Sequence, residues 1–189
     1  MQQVQNASAL SFPSIGIDGQ LTRLRSFQSS DITPAYIGWL NDPAVVRFSN
    51  QRFYQHTAES SARYLADFGK TPNRFLSIAR LADGHAIGTL TVYWSPQHGT
   101  ADMGILIGEK SAWGHGFGLD AWLAAMSWLE AQPSLRKITC GTAEPNIGMR
   151  RVAEKAGMHL EARKIRQEIV DGKACDLLFY ARFVNDSRN

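Results

Sequence analysis

Glycine stands at every second position of the segment Trp113-Gly114-His115-Gly116-Phe117-Gly118. The segment lies between an apolar run at 103–107 and a helical pattern that begins near Leu119. Glycine tolerates positive φ and lets a ligand approach the backbone closely. A helix N-terminus adds unpaired N–H donors and a partial positive charge. The spacing therefore allows two interpretations, a plain turn between a strand and a helix or a cradle for phosphate or pyrophosphate.

Length and composition limit the class of protein. The 189 residues suit one domain with a sizeable core, and 44% hydrophobic with 20% charged residues is ordinary for a soluble globular protein. The net charge of +3 is too small to indicate a nucleic-acid partner, although it is compatible with small anionic ligands. No apolar run is long enough for a membrane span, and no secretory signal pattern is present. We therefore expect a cytoplasmic protein that binds neither nucleic acid nor membrane.

The cysteines and histidines do not form a metal motif. Cys140 and Cys175 lie in strand-like segments, where buried thiols are more common than a disulfide in a reducing compartment. The five histidines are scattered along the chain. We therefore expect no bound metal.

Apolar periodicity and turn residues predict the element order β-α-α-β-β-β-α-β-α-β-β, which is a single mixed α/β arrangement. Residues 1–19 are rich in Gln, Ser and Gly, and they predict a flexible N-terminal arm or an extra edge segment. Residues 20–189 then form one domain. The segment Asp31-Ile32-Thr33-Pro34 is expected to open the first helix with a capping residue and an early proline.

Three segments carry a resemblance to a known family. Trp39-Leu40-Asn41-Asp42-Pro43 closes the first helix, and Asp102 to Gly118 forms a strand, a glycine loop and a helix start. Asn146 is followed by Glu154-Lys155-Ala156-Gly157-Met158. In this order and spacing, the segments resemble those of the GNAT acyltransferases, and in particular the branch with the ribosomal-protein alanine acetyltransferases. The resemblance covers roughly residues 20–183 and implies an α/β fold with a mixed, mostly antiparallel sheet flanked by helices.

The resemblance also implies acetyl-CoA as cosubstrate, with no metal. The loop amides would hold the pyrophosphate, and the pantetheine would lie along the exposed backbone near Gly104 to Ile107, in the predicted strand from Thr100 to Ile107. Asn146 would bond to the pantetheine or face the acceptor, and Arg150 would meet the 3′-phosphate or solvate its helix. The implied coenzyme A site comprises Ile105, Leu106, Ile107, Trp113, Gly114, His115, Gly116, Phe117, Gly118, Asn146 and Arg150.

Acyl transfer to an amine needs a base for the ammonium and an acid for the departing thiolate. Asp102 stands where this branch often has a carboxylate, and partial burial there would raise its pKa. Many members of the family use a tyrosine as the acid seven positions after the helix-opening asparagine, but Ala153 occupies that place here. Tyr180 and Tyr93 remain as substitutes, each with a packed aromatic as the plainer alternative. The predicted catalytic residues are Asp102, Asn146 and Tyr180.

The acceptor is open at this stage. The glycine loop indicates what is donated, whereas the acceptor is either the primary amine of a small molecule or a peptide N-terminus. Residues 103–110 and 173–183 also resemble segments of relatives that modify amino sugars, which implies a nucleotide-linked amino sugar as acceptor. The basic residues Arg163, Lys164 and Arg166 would then contact its phosphates, whereas their plainer interpretation is a solvated strand face. A non-catalytic acyl-CoA sensor is the third alternative, because the expected tyrosine is missing. We expect a monomer or a homodimer.

Overall fold

A computed structural model describes residues 15–184, whose eight strands form one sheet in the order β1-β2-β3-β4-β5-β6-β8-β7. All neighbouring strands are antiparallel except β5 and β6, which are parallel. The predicted mixed, mostly antiparallel sheet is therefore confirmed. The strands are β1 (Gly16–Asp18), β2 (Thr22–Ser26), β3 (Arg74–Arg80), β4 (Ala86–Ser95), β5 (Thr100–Ile107), β6 (Lys137–Ala143), β7 (His159–Val170) and β8 (Lys173–Phe183).

The sheet opens between its two parallel strands. Residues 100–102 of β5 pair with residues 137–139 of β6, and the pairing stops there. Strand β5 continues to Ile107 along β4, and β6 continues to Ala143 along β8. Every second residue of an antiparallel strand directs its N–H and C=O away from its partner. The backbone of residues 103–107 therefore presents unpaired groups to a wedge-shaped cleft in the middle of the sheet.

Five helices cover the two faces of the sheet. Trp122 and Leu129 of α4 and Ala153 of α5 join the main core against one face. On the other face, Tyr36 and Leu40 of α1 pack with Phe75 of β3, and α3 flanks this second core. In the described part of the chain, no helix is both long and apolar enough to cross a membrane. The helices are α1 (Pro34–Asn41), α2 (Pro43–Val46), α3 (Ala58–Phe68), α4 (Phe117–Glu130) and α5 (Ile147–Lys155).

The N-terminal region differs in detail from the sequence-based expectation. Residues 1–14 of the expected arm lie outside the described residues, whereas residues 16–18 form the edge strand β1. Thr33, which lies within the expected opening segment, caps α1 by accepting a hydrogen bond from the Tyr36 N–H. The Asp31 carboxylate instead accepts two hydrogen bonds of 2.6 Å from the Arg25 guanidinium. A charged partner on the adjacent strand competes successfully with the cap because charge-assisted bidentate bonds are stronger.

Candidate active site

The glycine loop leaves its backbone donors free at the start of α4. Gly114 and Gly116 have φ values of 78° and 86°, a region that side chains disfavour. The first bond into α4 runs from the Asp120 N–H to the Gly116 carbonyl at 3.0 Å. Within residues 15–184, the N–H groups of residues 117–119 therefore have no intrahelical acceptor. The expected anion cradle fits this geometry, because several donors and the positive helix end face one open surface.

Trp113 fixes the loop to the end of β5. Its indole Nε1 donates a 2.7 Å hydrogen bond to the Ile107 carbonyl, and its backbone N–H donates to the Lys110 carbonyl at 3.1 Å. Both donors are thus used within the protein, and only the half-exposed ring remains available to a ligand. The side chain of His115, next in the loop, is exposed.

Asp120 ties the cradle to the edge of the sheet. Its carboxylate accepts hydrogen bonds from the N–H groups of Gln20, Leu21 and Thr22 and from the Thr22 hydroxyl, at 2.7–3.0 Å. A Cβ on Gly19 would lie 2.3 Å from this carboxylate. Sequence reasoning missed this contact, for which the acidic residue in the first turn of a helix was the available signal. The carboxylate holds the β1–β2 turn beside the loop.

The end of β5 forms one wall of the cleft. Ile105 and Ile107 pack toward the main core beneath α4, whereas Leu106 packs with the second core on the opposite face. Gly104 is so close to β4 that a Cβ would lie 2.8 Å from Thr91 Oγ1. The expected contribution of these residues to ligand binding is through their backbone, and it fits the unpaired edge seen here.

Asn146 and Arg150 lie at the start of α5, across from β5. The Asn146 side-chain oxygen caps α5 by accepting from the Met149 N–H at 3.2 Å, and no partner within residues 15–184 is seen for its amide nitrogen. Arg150 donates from one terminal nitrogen to the Glu144 carbonyl at 3.3 Å. Its Nε is buried with no hydrogen-bond partner among the described residues. A buried donor such as this Nε is seldom left unpaired, and the amide nitrogen of the part-buried Asn146 is also available to a polar ligand.

Asp102 lies where the cleft begins. It belongs to the last parallel pair, with Thr139, and the Thr139 hydroxyl donates a 2.6 Å hydrogen bond to its carboxylate. Desolvation raises the pKa of Asp102 above the ordinary value of 3.8, and the Thr139 bond opposes only part of this shift. A carboxylate with a raised pKa at the vertex of a cleft suits a general base.

Tyr180 does not join these residues. It pairs with Cys140 on β6, and its side chain is only 3% exposed in the main core on the α5 side. Its hydroxyl lies 3.5 Å from a Glu154 carboxylate oxygen. Strand alternation points its ring to the opposite face of the sheet from Asp102, into the core that also contains Ala153, and its role as the acid stays a prediction.

A cavity of about 410 Å³ opens on the same face of the sheet as Asp102. Strand β4 contributes Thr89, Thr91 and Tyr93, and Gly104 forms part of the floor. Tyr93 is the direct cross-strand neighbour of Asp102, and its hydroxyl lies 3.2 Å from that of Tyr64 on α3. We call this cavity the acceptor pocket. Of the two substitutes for the missing acid, Tyr93 is the one that lies beside it.

Helices α1 and α3 supply buried hydroxyl groups to the acceptor pocket. Burial raises the pKa of Tyr36 to about 12, and the neighbouring Ser61 hydroxyl offsets only part of this shift. Burial also raises the pKa of Tyr64, with the Tyr93 hydroxyl adding to the effect. Both phenols are therefore neutral hydrogen-bonding groups near pH 7. Sequence reasoning did not assign these residues to the site.

The segment that closes α1 shapes the pocket rim. The Asn41 side chain accepts from the His56 N–H at 2.9 Å and donates to the His56 carbonyl at 2.9 Å. Asp42 caps α2 through the Ala44 N–H and pairs with Lys110 at 2.6 Å, next to the glycine loop. This segment therefore links the rim to the loop.

Comparisons with known proteins agree with this arrangement. The family model described as "Acetyltransferase (GNAT) domain" matches residues 22–159. No curated protein matches the sequence. Among solved structures, a GNAT-family acetyltransferase from Bacillus anthracis has a TM-score of 0.77 and 17% identity, covering 91% of this chain and 100% of its own.

Two further solved structures contain coenzyme A. A ribosomal L7/L12 alpha-N-protein acetyltransferase in complex with coenzyme A has a TM-score of 0.79 and 18% identity, with coverage of 90% of this chain and 99% of that one. A spermidine N-acetyltransferase from Vibrio cholerae, in complex with CoA and spermine, has a TM-score of 0.79 and 16% identity, with coverage of 89% and 99%. These likenesses establish the same fold. With the family match over most of the chain, they lead to one conclusion: this protein belongs to the GNAT family of acyl-CoA-dependent N-acetyltransferases.

Proposed function

We propose that this enzyme transfers an acetyl group from acetyl-CoA to the primary amine of a small molecule held in the acceptor pocket. The observation that carries the proposal is the cleft between β5 and β6. It begins at Asp102, its β5 wall leads to the glycine loop, and the acceptor pocket opens beside Gly104 on the other face of the sheet. A donor and an acceptor that enter from opposite faces would meet at this vertex.

The donor would be held by backbone and side-chain groups already described. The amides of residues 117–119 suit the pyrophosphate, and the unpaired backbone of residues 103–107 suits the two amides of the pantetheine. The free amide nitrogen of Asn146 and the buried Nε of Arg150 supply donors on the opposite wall.

The chemistry follows from the position of Asp102. The ammonium gives a proton to the carboxylate, and the amine nitrogen then bonds to the thioester carbonyl carbon. An unpaired N–H of β5 stabilises the oxyanion that forms. Collapse breaks the carbon–sulfur bond, and the thiolate leaves and takes up a proton from an acid. The nitrogen gives up its second proton, which leaves the neutral amide and restores that acid. The Tyr93 hydroxyl is the group of this face that best replaces the absent tyrosine at Ala153 as that acid.

A small acceptor fits better than a nucleotide-linked one. Part of the positive charge of the β7–β8 hairpin is engaged, because Arg163 pairs with Asp176 at 2.9 Å and with Glu144 at 3.3 Å. Lys164 lies over the Phe179 ring at 5.1 Å. The hairpin therefore offers a phosphate less free charge than the sequence suggests.

A peptide N-terminus is the second candidate acceptor. Phe53 and Tyr54 near the rim are 65% and 69% exposed, and exposed aromatic side chains are common in protein recognition. One of the solved structures with this fold is described as a ribosomal-protein acetyltransferase. A peptide acceptor would place its first residue in the pocket and its chain across these rings.

Coenzyme A binding is tested by a pair of matched variants. Gly116→Glu places a carboxylate and a side chain in the cradle, and we expect the Kd for coenzyme A to rise at least about tenfold, which is about 1.4 kcal/mol. Gly84→Glu adds the same charge at a similar positive φ of 71°, in a hairpin turn with open space around it. Equal affinity of the two folded variants, measured by calorimetry, would remove the cradle from the proposal.

Thiol release by the wild-type protein distinguishes an enzyme from an acyl-CoA sensor. We expect thiol release from acetyl-CoA only when a primary amine is present. Tight coenzyme A binding with no release across small amines and peptides would support the sensor instead.

A further inference from the structure

The acceptor pocket is lined by neutral side chains. Four tyrosines and a phenylalanine form its apolar surfaces, and serine, threonine and glutamine side chains lie between them. Among residues 15–184, no Asp, Glu, Lys or Arg lines it. The single histidine, His56, has its Nε2 within 3.0 Å of the Gln51 carbonyl. A charged group in the body of an acceptor would therefore find no opposite charge on these walls.

The charged residues around the rim pair with one another. Arg47 pairs with Asp171 at 2.5 Å, and Arg52 donates to the Ile169 carbonyl at 3.0 Å and pairs with Glu168 at 3.5 Å. These contacts also join the α2 region to the tip of the β7–β8 hairpin. Redirecting one of these groups to a ligand would break an existing pair, so the rim adds little net charge to the pocket.

The walls combine aromatic faces with hydroxyl and amide groups. Phe75 stacks on Phe27 and on Phe68, with centroids 4.4 and 5.3 Å apart, so its faces are occupied within the protein. The ring of Tyr54, in the same lining, is 69% exposed and remains available to a ligand. The Tyr64 and Tyr93 hydroxyls form a pair at 3.2 Å beside Thr91. Aromatic faces contact the C–H faces of a ring, and neighbouring hydroxyls bond to its substituents. The arrangement suits a body that is rich in hydroxyls and has no charge.

We propose that the acceptor is an amino sugar without phosphate, that is, a polyhydroxylated primary amine whose only charged group is the reacting ammonium. This inference rests on the proposed function and names its substrate class. A second ammonium, as in a polyamine, or a phosphate would lose its hydration here and find no partner of opposite charge. The desolvation free energy of such a charge is larger than that of a neutral hydroxyl in the same place. A pocket lined by hydroxyl groups also discriminates against acceptors that leave the hydrogen-bond donors of the pocket unpaired.

The test uses the full-length enzyme with four acceptors: glucosamine, glucosamine 6-phosphate, spermidine and a tripeptide with a free N-terminus. We expect kcat/KM for thiol release to be at least about tenfold higher with glucosamine than with each of the others. A higher value with spermidine, the phosphate or the peptide overturns the inference while the proposed acetyl transfer stands.

A second experiment introduces a negative charge into the acceptor pocket. Gln51→Glu adds a carboxylate to the lining, and we expect the ratio of kcat/KM for spermidine to that for glucosamine to rise about tenfold. Gln97→Glu adds the same charge at an exposed position outside the pocket, and the ratio should stay at the wild-type value. Equal ratios in both variants would show that this wall does not select the acceptor.

Binding keeps the inference testable if no acceptor is turned over. In that case the proposed transfer fails, and the order of affinities for the enzyme–coenzyme A complex is measured by calorimetry. Tighter binding of glucosamine than of its 6-phosphate and of spermidine supports the neutral pocket, and any other order overturns it.

Discussion

At the scale of single residues, the ionisation of Asp102 should make the rate of acetyl transfer depend on pH. Its pKa is raised by burial and lowered by the Thr139 hydroxyl, with burial the larger effect. A base works only when ionised, so kcat/KM should fall as pH decreases through this raised pKa, above the ordinary 3.8 of an aspartate. Thr139→Val removes the opposing hydrogen bond, and the acidic limb of the profile should move to higher pH.

Thr100→Val is the matched control, because it makes the same change on the same face of β5 without a contact to Asp102. Its pH profile should overlay that of the wild type. Asp102→Asn should lower kcat by about 10²–10⁴-fold with coenzyme A affinity retained, as expected when a general base is removed. An unshifted limb in Thr139→Val, or full activity in Asp102→Asn, would exclude Asp102 as the base.

The residues of the site were not equally visible in the sequence. Asp102 and Asn146 were predicted because each lies in a segment that resembles a motif of the family. The sequence did not show that Tyr180 and Asp102 lie on opposite faces of the sheet, because period-two alternation shows which residues share a face of β8 but not which face meets α5. Tyr36 and Tyr64 were missed for a related reason: they lie on separate helices and meet only when both pack on Phe75.

At the scale of elements, one close contact joins α1 to the end of β5. A Cβ on Gly108 would lie 2.1 Å from the Trp39 ring, so the ring packs directly on the glycine backbone. Gly108→Ala should lower the free energy of unfolding by about 1–3 kcal/mol, because overpacking a rigid contact forces the ring or the backbone to move. Chemical denaturation measures this value.

Gly38→Ala is the control for Gly108→Ala, because it adds the same methyl group in α1, the helix that carries Trp39, where there is room for it. Gly38 is exposed in α1, and a Cβ there meets nothing within 4 Å. Alanine in a helix interior is more favourable than glycine, so this variant should gain about 0.5–1 kcal/mol. If Gly108→Ala is as stable as the wild type while Gly38→Ala behaves as expected, the Trp39 contact does not constrain this junction.

The elements themselves were predicted well where their pattern is long. Strands β5 and β6 were placed at the residues observed, and α4 was recognised from its apolar face, with Trp122 fully buried. The four-residue helix α2 was missed because one turn has too few residues for periodicity. The segment that opens α1 did not show whether Asp31 or Thr33 is the cap, because the ion pair between Asp31 and Arg25 joins different elements.

At the scale of the whole molecule, the sheet consists of two parts joined by little pairing. Strands β1 to β5 form one part and β6 to β8 the other, and three register pairs connect them. Helices α4 and α5 pack on a core that both parts share. A ligand bound along residues 103–107 would complete the pairing of β5, which explains why a cleft persists in a sheet that otherwise pairs its strands.

Hydrogen exchange tests this role directly. Amides of residues 103–107 that point away from β4 exchange with solvent through the open cleft. Coenzyme A should therefore lower their exchange rates in proportion to the fraction of protein that remains unbound. Amides of β3 and of the β3-facing side of β4 are already paired, and they serve as internal controls whose rates should change little apart from global stabilisation. Protection confined to residues 114–119, with none along β5, would mean that coenzyme A uses the loop but not the cleft. The acetyl group would then lie away from Asp102, and catalysis at the vertex would be excluded.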